Sequence, residues 1–288
     1  MTAPALVSPK VRSSRGWTTR QNDAVIGSVL ALVAFLGLFP FLFILVGSFK
    51  TQAQLAQSYW LPTFPLHLEN YAVAWEQIRG YTFNSFFVGA VTSLAILLLG
   101  TVSGFVFARY RFPGRNFFFV SIIALLAVPG VVNLVPLFIL MRSLHLIDTL
   151  WALIIPYTVG NLYTTVYLMR NAVQGIGEEI FEAALLDGAS GPQIYGRIVL
   201  PLIFPTMGTV IITTLTGVWN EYLWALLVIN DPAKRTIGTG LQFFTNQLTT
   251  DYGPLFAGYL LASLPLLILF AFASKYFVAG LQAGGTKQ

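Results

Sequence analysis

The sequence lacks cysteine altogether and contains only two histidines among its 288 residues. Without cysteine, the chain has no disulfide framework, no thiolate metal site and no cysteine nucleophile. The two histidines, His67 and His145, lie far apart in the chain, which argues against a histidine-based metal cluster. The sequence therefore predicts no metal centre.

Charged residues are also scarce. They make up 9% of the chain, whereas about 25% is usual in soluble domains. Hydrophobic residues account for 56% and the mean hydropathy is +0.74. Because no soluble fold of this length buries so much apolar surface, we expect an all-α integral membrane protein. The net charge of +5 comes from basic residues that flank apolar runs, a pattern typical of membrane topology rather than nucleic-acid binding.

Six apolar runs are each long enough to cross about 30 Å of hydrocarbon, which takes about 20 residues. We predict six transmembrane helices at 24–49, 82–108, 117–141, 149–169, 202–229 and 254–277. Such continuous runs differ from the short alternating segments of a β-barrel. The first run is longer than the apolar region of a signal peptide, roughly 7–15 residues, so we expect a retained first helix.

The basic residues predict that both termini are cytoplasmic. With that orientation, eleven of the sixteen Lys and Arg residues lie on the cytoplasmic side, as the positive-inside rule requires. The cluster of Arg109, Arg111 and Arg115 in one short loop is the decisive part. Residues 1–23 and 280–288 are then cytoplasmic tails on either side of the membrane domain.

One cytoplasmic loop, residues 170–200, combines charge with strong helix signals. Glu178–Leu186 contains good helix formers and neither Pro nor Gly. Gly188 can adopt a left-handed conformation and end that helix. Ser190, with Gln193 three residues later, forms the capping box of a second helix. The loop is therefore predicted to be a short helix, a sharp turn and a second helix at the membrane surface.

The first of these helices has the composition of a docking element. Phe181, Ala184 and Leu185 are spaced to share one face, and Glu182 and Asp187 place charge at its rim. Such a helix fits a groove on a cytoplasmic partner. The alternative is a plain amphipathic connector on the lipid headgroups, but those helices usually carry basic rather than acidic polar faces.

The same loop resembles the EAA loop of ABC importer permeases. The match consists of Glu182-Ala183-Ala184, Asp187-Gly188-Ala189 and Ile198-Val199-Leu200-Pro201 in that order. A lone Glu-Ala-Ala would carry no weight, but this long ordered pattern falls in the predicted cytoplasmic loop. The resemblance implies that the residues contacting or coupling to an ATPase are Glu182, Ala183, Ala184, Asp187, Gly188, Ala189, Ile198 and Pro201. Pro201 is also expected to bend the chain as it enters the membrane.

A second resemblance points to the carbohydrate-uptake branch of these permeases. It rests on Trp219-Asn220-Glu221-Tyr222-Leu223-Trp224 and on the Thr236–Leu241 segment. The six-span layout is similar to the maltose-type G subunit, and the resemblance covers roughly residues 24–279. It implies the type I ABC importer permease fold.

The resemblance implies a permease subunit of an ATP-driven, binding-protein-dependent sugar importer in the inner membrane of a prokaryote. The chain has no Gly-x-x-x-x-Gly-Lys-Ser/Thr phosphate loop, so it is not expected to be an enzyme or to bind a cofactor itself. ATP and Mg are expected on a partner ATPase. The implied partners are a second permease subunit, two ATP-binding cassette subunits, an extracytoplasmic sugar-binding protein and membrane lipid, with no nucleic acid. Transport would proceed by alternating access.

Polar residues inside the spans are candidates for the substrate path, because polar groups are costly in a membrane. They are Asn133, Asn161, Asn220 and Glu221. Asn133 lies between two prolines that kink its helix, and a helix–helix hydrogen bond is its alternative role. Glu221 has two alternatives, a structural place at the outer interface or a partner contact. The outer loop 230–251 is expected to reach the binding protein, and the resemblance leaves open that the partner permease holds most sugar contacts.

Three other functions are alternatives to sugar import. An ABC permease for a non-sugar solute would carry the same docking loop, and only the region from Trp219 to Leu241 argues against it. An ion-coupled secondary carrier should show intramembrane acids or a basic relay within its spans, and apart from Glu221 the predicted spans lack them. An intramembrane enzyme would need a catalytic constellation, for which the sequence offers no candidates.

Overall fold

The computed structural model describes the backbone of residues 18–247 and 251–285 and the side chains of residues 22–247 and 251–271. Residues 1–17 and 286–288 of the predicted tails lie outside the described residues. The described part is helical and contains no strand. Its first six helices are α1 (Thr18–Ser48), α2 (Gln52–Gln57), α3 (Glu69–Arg109), α4 (Arg115–Leu125), α5 (Leu134–Ser143) and α6 (Trp151–Gln174).

Six further helices complete the described chain. They are α7 (Glu178–Leu186), α8 (Gly191–Ile194), α9 (Leu200–Asn220), α10 (Leu223–Val228), α11 (Ile237–Gln247) and α12 (Tyr252–Gly285). A π-helical turn at Tyr195–Val199 joins α8 to α9, so the chain from Gly191 to Asn220 is continuously helical.

Among the described residues, four helices are long and apolar enough to span a membrane, or five if the bent pair of α4 and α5 forms one span. The four are α1, α3, α12 and the continuous α8–α9 helix. Helix α6 is 24 residues long but falls outside this group, because its Tyr, Thr and Asn residues lower its hydropathy. The predicted count of six includes α6 and stays a prediction, as do the cytoplasmic termini.

The helix boundaries differ from the predicted spans mainly at the ends. Helix α1 begins at Thr18, within the predicted N-terminal tail. Helix α3 has 41 residues and starts at Glu69, so it takes in the end of the predicted outer loop 50–79. At 1.5 Å per residue it is about 60 Å long, roughly twice the thickness of the hydrocarbon core. It therefore projects beyond the membrane as well as crossing it.

The predicted third span is two helices rather than one kinked helix. Helices α4 and α5 meet at an angle of 93° across a break that contains Pro129. A proline disfavours helical backbone in the residue before it, which is why α4 stops short of Pro129. Pro136 lies in the first turn of α5, where its missing N–H breaks no helical hydrogen bond.

The predicted fifth span is also broken, and no proline explains it. Helix α9 ends at Asn220, and Glu221 has extended backbone with φ −70° and ψ 121°. The Glu221 carboxylate accepts the backbone N–H of Trp224 at 3.0 Å, which caps α10. The Trp224 indole donates to the Ala152 carbonyl of α6 at 2.8 Å. Contacts with distant helices thus decide the break.

Helices α3 and α6 form the most extensive helix pair of the described chain. Gly100 of α3 lies against Thr165, and Gly104 lies against Met169. Small residues four positions apart let two helix backbones approach closely. Because both sequence numbers rise together along the contact, the two helices run in the same direction. Their C-terminal ends therefore lie on the same side of the molecule.

Candidate functional site

Residues 170–200, which we call the coupling segment, have the local structure that the sequence predicts. Helix α7 spans Glu178–Leu186, and Gly188 adopts a left-handed φ of +75°. The N–H of Ala189 donates to the Ala184 carbonyl at 2.9 Å, and that of Gly188 donates to the Leu185 carbonyl at 3.0 Å. These two bonds form a Schellman motif, and the predicted helix and its glycine end are confirmed.

The second helix of the coupling segment also starts where predicted. The backbone N–H of Ser190 donates to Gln193 Oε1 at 2.8 Å, as in a capping box. Pro201 does not end or break this helix. The Leu200 N–H donates to the Tyr195 carbonyl through the π-helical turn, and this wider turn accommodates the proline that follows. The chain is therefore continuously helical through Pro201, and the predicted bend there stays a prediction.

The face of α7 predicted to dock on a partner is partly buried within this chain. Phe181 and Ala184 are 2% and 6% exposed and belong to a buried cluster with Met169 and Val199. These two side chains are thus covered by this chain and not free for a partner, which differs from the predicted docking face. Leu185, predicted on the same face, is 61% exposed and agrees with that prediction.

The start of α7 is held by an arginine from the end of α3. Arg109 donates from both Nη atoms to the Glu178 carboxylate, at 2.6 and 2.8 Å. The same guanidinium lies 3.7 Å above the ring centroid of Phe181. Bidentate pairing and the ring face together fix the orientation of the side chain. We call Arg109, Glu178 and Phe181 the arginine clasp.

The arginine clasp also has an electrostatic signature. The hydrogen bonds from Arg109 hold the pKa of Glu178 below its ordinary value. Since the folded pKa is depressed, the pairing is complete above the ordinary carboxyl range and is lost as the pH falls through the lowered value. At neutral pH Glu178 is ionised and paired.

A second attachment joins the coupling segment to α3. The hydroxyls of Tyr195 and Thr101 are 2.7 Å apart and share a hydrogen bond, and the Tyr195 ring packs against Phe105 with centroids 5.4 Å apart. Thr101 and Phe105 lie one turn apart on α3. The coupling segment is thus fastened to this helix before and after its turn.

The outward side of α7 is left uncovered within the described chain. Leu186 is 90% exposed, next to the exposed Leu185. We call this side the docking surface, and its members are Glu182, Ala183, Leu185, Leu186 and Asp187. Of the other residues in the EAA match, Gly188 and Pro201 are exposed, Ala189 and Ile198 are half-buried, and Ala184 faces the protein. Two adjacent exposed leucines beside two acids form a surface suited to a protein partner.

The arginine clasp and the exposure of Leu186 were not predicted from the sequence. There, Arg109 indicated only the membrane orientation of the chain, and Glu178 was only one of several acidic residues in the loop. The two residues are 69 positions apart, and no periodicity within either segment pairs them. The one available sequence signal for the docking surface was the pair of adjacent leucines at the end of the predicted helix.

The four residues predicted for the substrate path lie at different places in the fold. Asn161 and Asn220 donate to the carbonyls of Tyr157 and Thr216 on their own helices, both at 2.8 Å. Both are exposed. Asn133 is exposed at the start of α5, and within the described part of the chain its side chain has no hydrogen-bond partner. The predicted helix–helix bond of Asn133 is thus absent from this part.

The predicted outer loop 230–251 is largely structured, although residues 248–250 lie outside the described part. Asp148, with φ +64°, accepts the N–H groups of Asn230 and Asp231 at 3.0 and 2.9 Å. Asn84 of α3 donates to the carbonyls of Ala233 and Arg235 at 2.8 and 2.9 Å. Beyond these contacts the chain enters α11. The loop is therefore tied to the helix bundle along its first half.

The geometry can be compared with known proteins. The profile of the family described as "Binding-protein-dependent transport system inner membrane component" matches residues 96–282, a range that contains the coupling segment and both broken spans. The chain belongs to this family. It is accordingly a multi-pass membrane subunit of a transporter and not an enzyme.

Members of this binding-protein-dependent permease family match almost the whole chain. The Probable ABC transporter permease protein YurM of Bacillus subtilis is 34% identical over 282 residues, which cover 98% of this chain and 93% of the relative. The arabinooligosaccharides transport system permease protein AraQ of Halalkalibacterium halodurans is 32% identical over 263 residues, which cover 89% and 94%. The chain is therefore an ABC transporter permease.

A solved structure shares the permease fold. A bacterial ABC transporter involved in the import of the acidic polysaccharide alginate superposes with a TM-score of 0.80 and 22% identity, over 91% of this chain and 98% of that chain. At that identity the likeness concerns the fold alone. It extends well beyond the coupling segment to the whole helix bundle.

Proposed function

We propose that this permease is one of two membrane subunits of an ATP-driven sugar importer in the inner membrane of a prokaryote. It would form the translocation path with a second permease, in a six-span arrangement with both termini in the cytoplasm. The match to an arabinooligosaccharide permease supports a sugar as the solute. The family description supports a binding protein outside the membrane as the source of that sugar.

The observation that carries the proposal is the docking surface. A leucine that is 90% exposed in a water-facing loop loses favourable burial, roughly 1.5–3 kcal/mol for a fully buried side chain, unless a partner covers it. Glu182 and Asp187 would add polar contacts at the rim. We assign the partner as one of two ATP-binding cassette subunits, which would bind ATP and Mg. The other subunit would pair with the second permease.

The arginine clasp suggests how movement of the ATPase would reach the membrane. The coupling segment is attached to α3 through Arg109 and through the hydrogen bond between Tyr195 and Thr101. Displacement of α7 by a closing ATPase would therefore pull on the end of α3. Since α3 packs along α6 through close glycine contacts, both helices would move together as a rigid body, as alternating access requires.

Sugar contacts are proposed at the broken helices. Transport sites favour such interruptions, where backbone groups are freed to meet a substrate. Asn133 lies beside the break between α4 and α5, and Asn220 and Glu221 lie at the break after α9. The side-chain amides of Asn161 and Asn220 are exposed, and their oxygens would accept hydrogen bonds from sugar hydroxyls. The exposed polar side of α11, which carries Asn246, is proposed to contact the binding protein.

The proposal is tested by co-purifying the tagged chain from mild detergent with a Leu186→Asp variant beside it. The wild type should bring down an ATPase and a second permease. The variant should lose the ATPase and keep the permease, because Leu186 is exposed and its replacement does not disturb the core. Leu144→Asp, at an exposed leucine far along the chain from the docking surface, is the matched control.

Two results would contradict the proposal. If the wild-type chain is recovered without any ATPase, the proposed ATPase partner of the docking surface is wrong. If Leu144→Asp loses the ATPase as completely as Leu186→Asp, the docking surface is not on α7. Uptake of labelled arabinooligosaccharides and of a non-sugar solute by the complete importer in proteoliposomes then separates sugar import from the alternative.

A further inference from the structure

A groove lies between the end of α3 and the start of α8. Its volume is about 490 Å³, and most of its lining is apolar. The apolar wall consists of Val102, Phe105, Val106, Phe112 and Pro192, with Arg111 at the same groove. The Tyr110 hydroxyl lies against Gly191, and both residues line the groove. The groove is separate from the docking surface on α7.

The arginines around this groove differ in how they are used. Arg109 is paired with Glu178 in the arginine clasp. Arg115 donates to the Phe107 carbonyl at 2.9 Å, and Arg170 lies 4.0 Å above the Phe119 ring centroid. Arg111 is exposed and forms no hydrogen bond or ion pair within the described part of the chain.

The charge of Arg111 is not cancelled by a nearby acid. Its field contributes to the low pKa of Glu178, but that carboxylate already carries two hydrogen bonds from Arg109. The groove therefore combines an apolar wall on the last turns of a membrane helix with one unsatisfied cation just beyond the helix end. Basic pockets of this kind at the cytoplasmic ends of membrane helices suit anionic lipid headgroups.

We propose that this groove binds one anionic phospholipid of the cytoplasmic leaflet. Its phosphate would pair with Arg111, and an acyl chain would lie along the apolar wall beginning at Val102. Val102 is 48% exposed and lines the groove one helical turn before Val106. The lipid would bridge α3 and α8, the helix that follows the turn of the coupling segment. The inference depends on the orientation of this end of α3, and not on which solute is transported.

The test is native mass spectrometry of the delipidated importer complex titrated with dioleoylphosphatidylglycerol or dioleoylphosphatidylcholine. The wild type should bind one phosphatidylglycerol in preference to phosphatidylcholine. Arg111→Gln should weaken that binding about fivefold, the effect expected of one basic side chain near an anionic surface. Arg197→Gln is the matched control, since Arg197 is exposed and lies two residues after the groove-lining Tyr195 but does not line the groove itself. It should bind as the wild type does.

A second variant tests the apolar wall. Val102→Trp should fill the groove and reduce phosphatidylglycerol binding while Arg111 is intact, and recovery of the intact complex shows that the variant has folded. Equal loss in Arg111→Gln and Arg197→Gln would mean diffuse charge rather than a site and would overturn the proposal. Equal binding of phosphatidylcholine and phosphatidylglycerol would also overturn the proposal. Unchanged lipid binding in Arg111→Gln together with loss of the second permease would overturn it as well, since that permease would then occupy the groove. If Val102→Trp does not yield a complex, the two arginine variants decide.

Discussion

The coupling segment and the outer loop 230–251 are both predicted partner-binding regions, yet they are built differently. Within the coupling segment the turn is formed by its own residues, through the Schellman motif at Gly188 and the capping box at Ser190. The outer loop is held by residues remote in sequence, chiefly Asn84 and Asp148. Helix α11 then buries Ile237 and Phe244 in the helix bundle.

This difference bears on how each region can move. A segment that carries its own fold and is attached at a few points can be displaced as a unit without losing its shape. A segment tied down by several distant helices moves only with those helices. The coupling segment is therefore suited to transmitting a displacement, and the predicted outer loop is suited to presenting a fixed surface. Four substitutions test this contrast.

The largest effect is expected at Gly188. An alanine there would have to adopt the left-handed conformation, at a cost of roughly 1–2 kcal/mol, and would weaken the turn that shapes the docking surface. Gly188→Ala should reduce ATP-driven transport by proteoliposomes containing the complete importer about tenfold. Gly196→Ala is the control, because a methyl group added at either glycine would meet open space but only Gly188 has positive φ. Equal effects of the two substitutions would rule out the turn as the cause.

The next effect is expected at the arginine clasp. Arg109→Gln should uncouple the coupling segment from α3, so that less solute is moved per ATP hydrolysed, by about fivefold, while the ATPase stays bound. The double variant Arg109→Glu/Glu178→Arg, which exchanges the two charges, should partly restore the ratio of solute moved to ATP hydrolysed. Arg79→Gln breaks the ion pair of Arg79 with Glu76, 2.6 Å long, in the first turns of α3 and serves as the control. A transport ratio unchanged in Arg109→Gln would show that the clasp is only structural.

A smaller and different effect is expected at Asp148. Asp148→Ala removes the acceptor for two backbone N–H groups and should destabilise the outer loop by about 1–3 kcal/mol. Asp148→Asn keeps an acceptor oxygen and tolerates positive φ, so it should be milder. Thermal unfolding of the purified complex measures the loss of stability, and the affinity for the binding protein shows whether the outer loop keeps its structure. Reduced ATPase binding in Asp148→Ala would contradict the separation of the two regions.

The smallest effect is expected at Glu221. Its carboxylate caps Trp224, and glutamine retains an oxygen that can accept the same N–H. Glu221→Gln should therefore change transport less than twofold, whereas Glu221→Ala should loosen α10. Sugar affinity measured by uptake kinetics separates this capping role from substrate contact. A large rise in KM for Glu221→Gln alone would place the ionised carboxylate on the sugar.

Local signals in the sequence were enough to predict the coupling segment closely. The helix, its glycine end and the following capping box depend on residues at most five positions apart, so that neighbouring side chains and backbone propensities decide them. That the chain is a membrane protein follows from composition, because a soluble fold of this length cannot bury such long apolar runs with so few charged residues. The family resemblance also rests on contiguous motifs. The break at Pro129 also has a local cause, the effect of the proline on the residue before it, although the angle between α4 and α5 does not.

The tertiary structure decided what depends on residues far apart in the chain. The break after Asn220 has no proline and is held by the bond from Trp224 to α6. The exposure of Leu185, the pairing of Arg109 with Glu178 and the use of Asp148 to hold the outer loop likewise need α3, α6 and the loops in place. Sequence periodicity specifies which residues of one helix share a face. Only packing specifies which helix meets that face, because the partner groups lie tens of residues away and no local rule selects them.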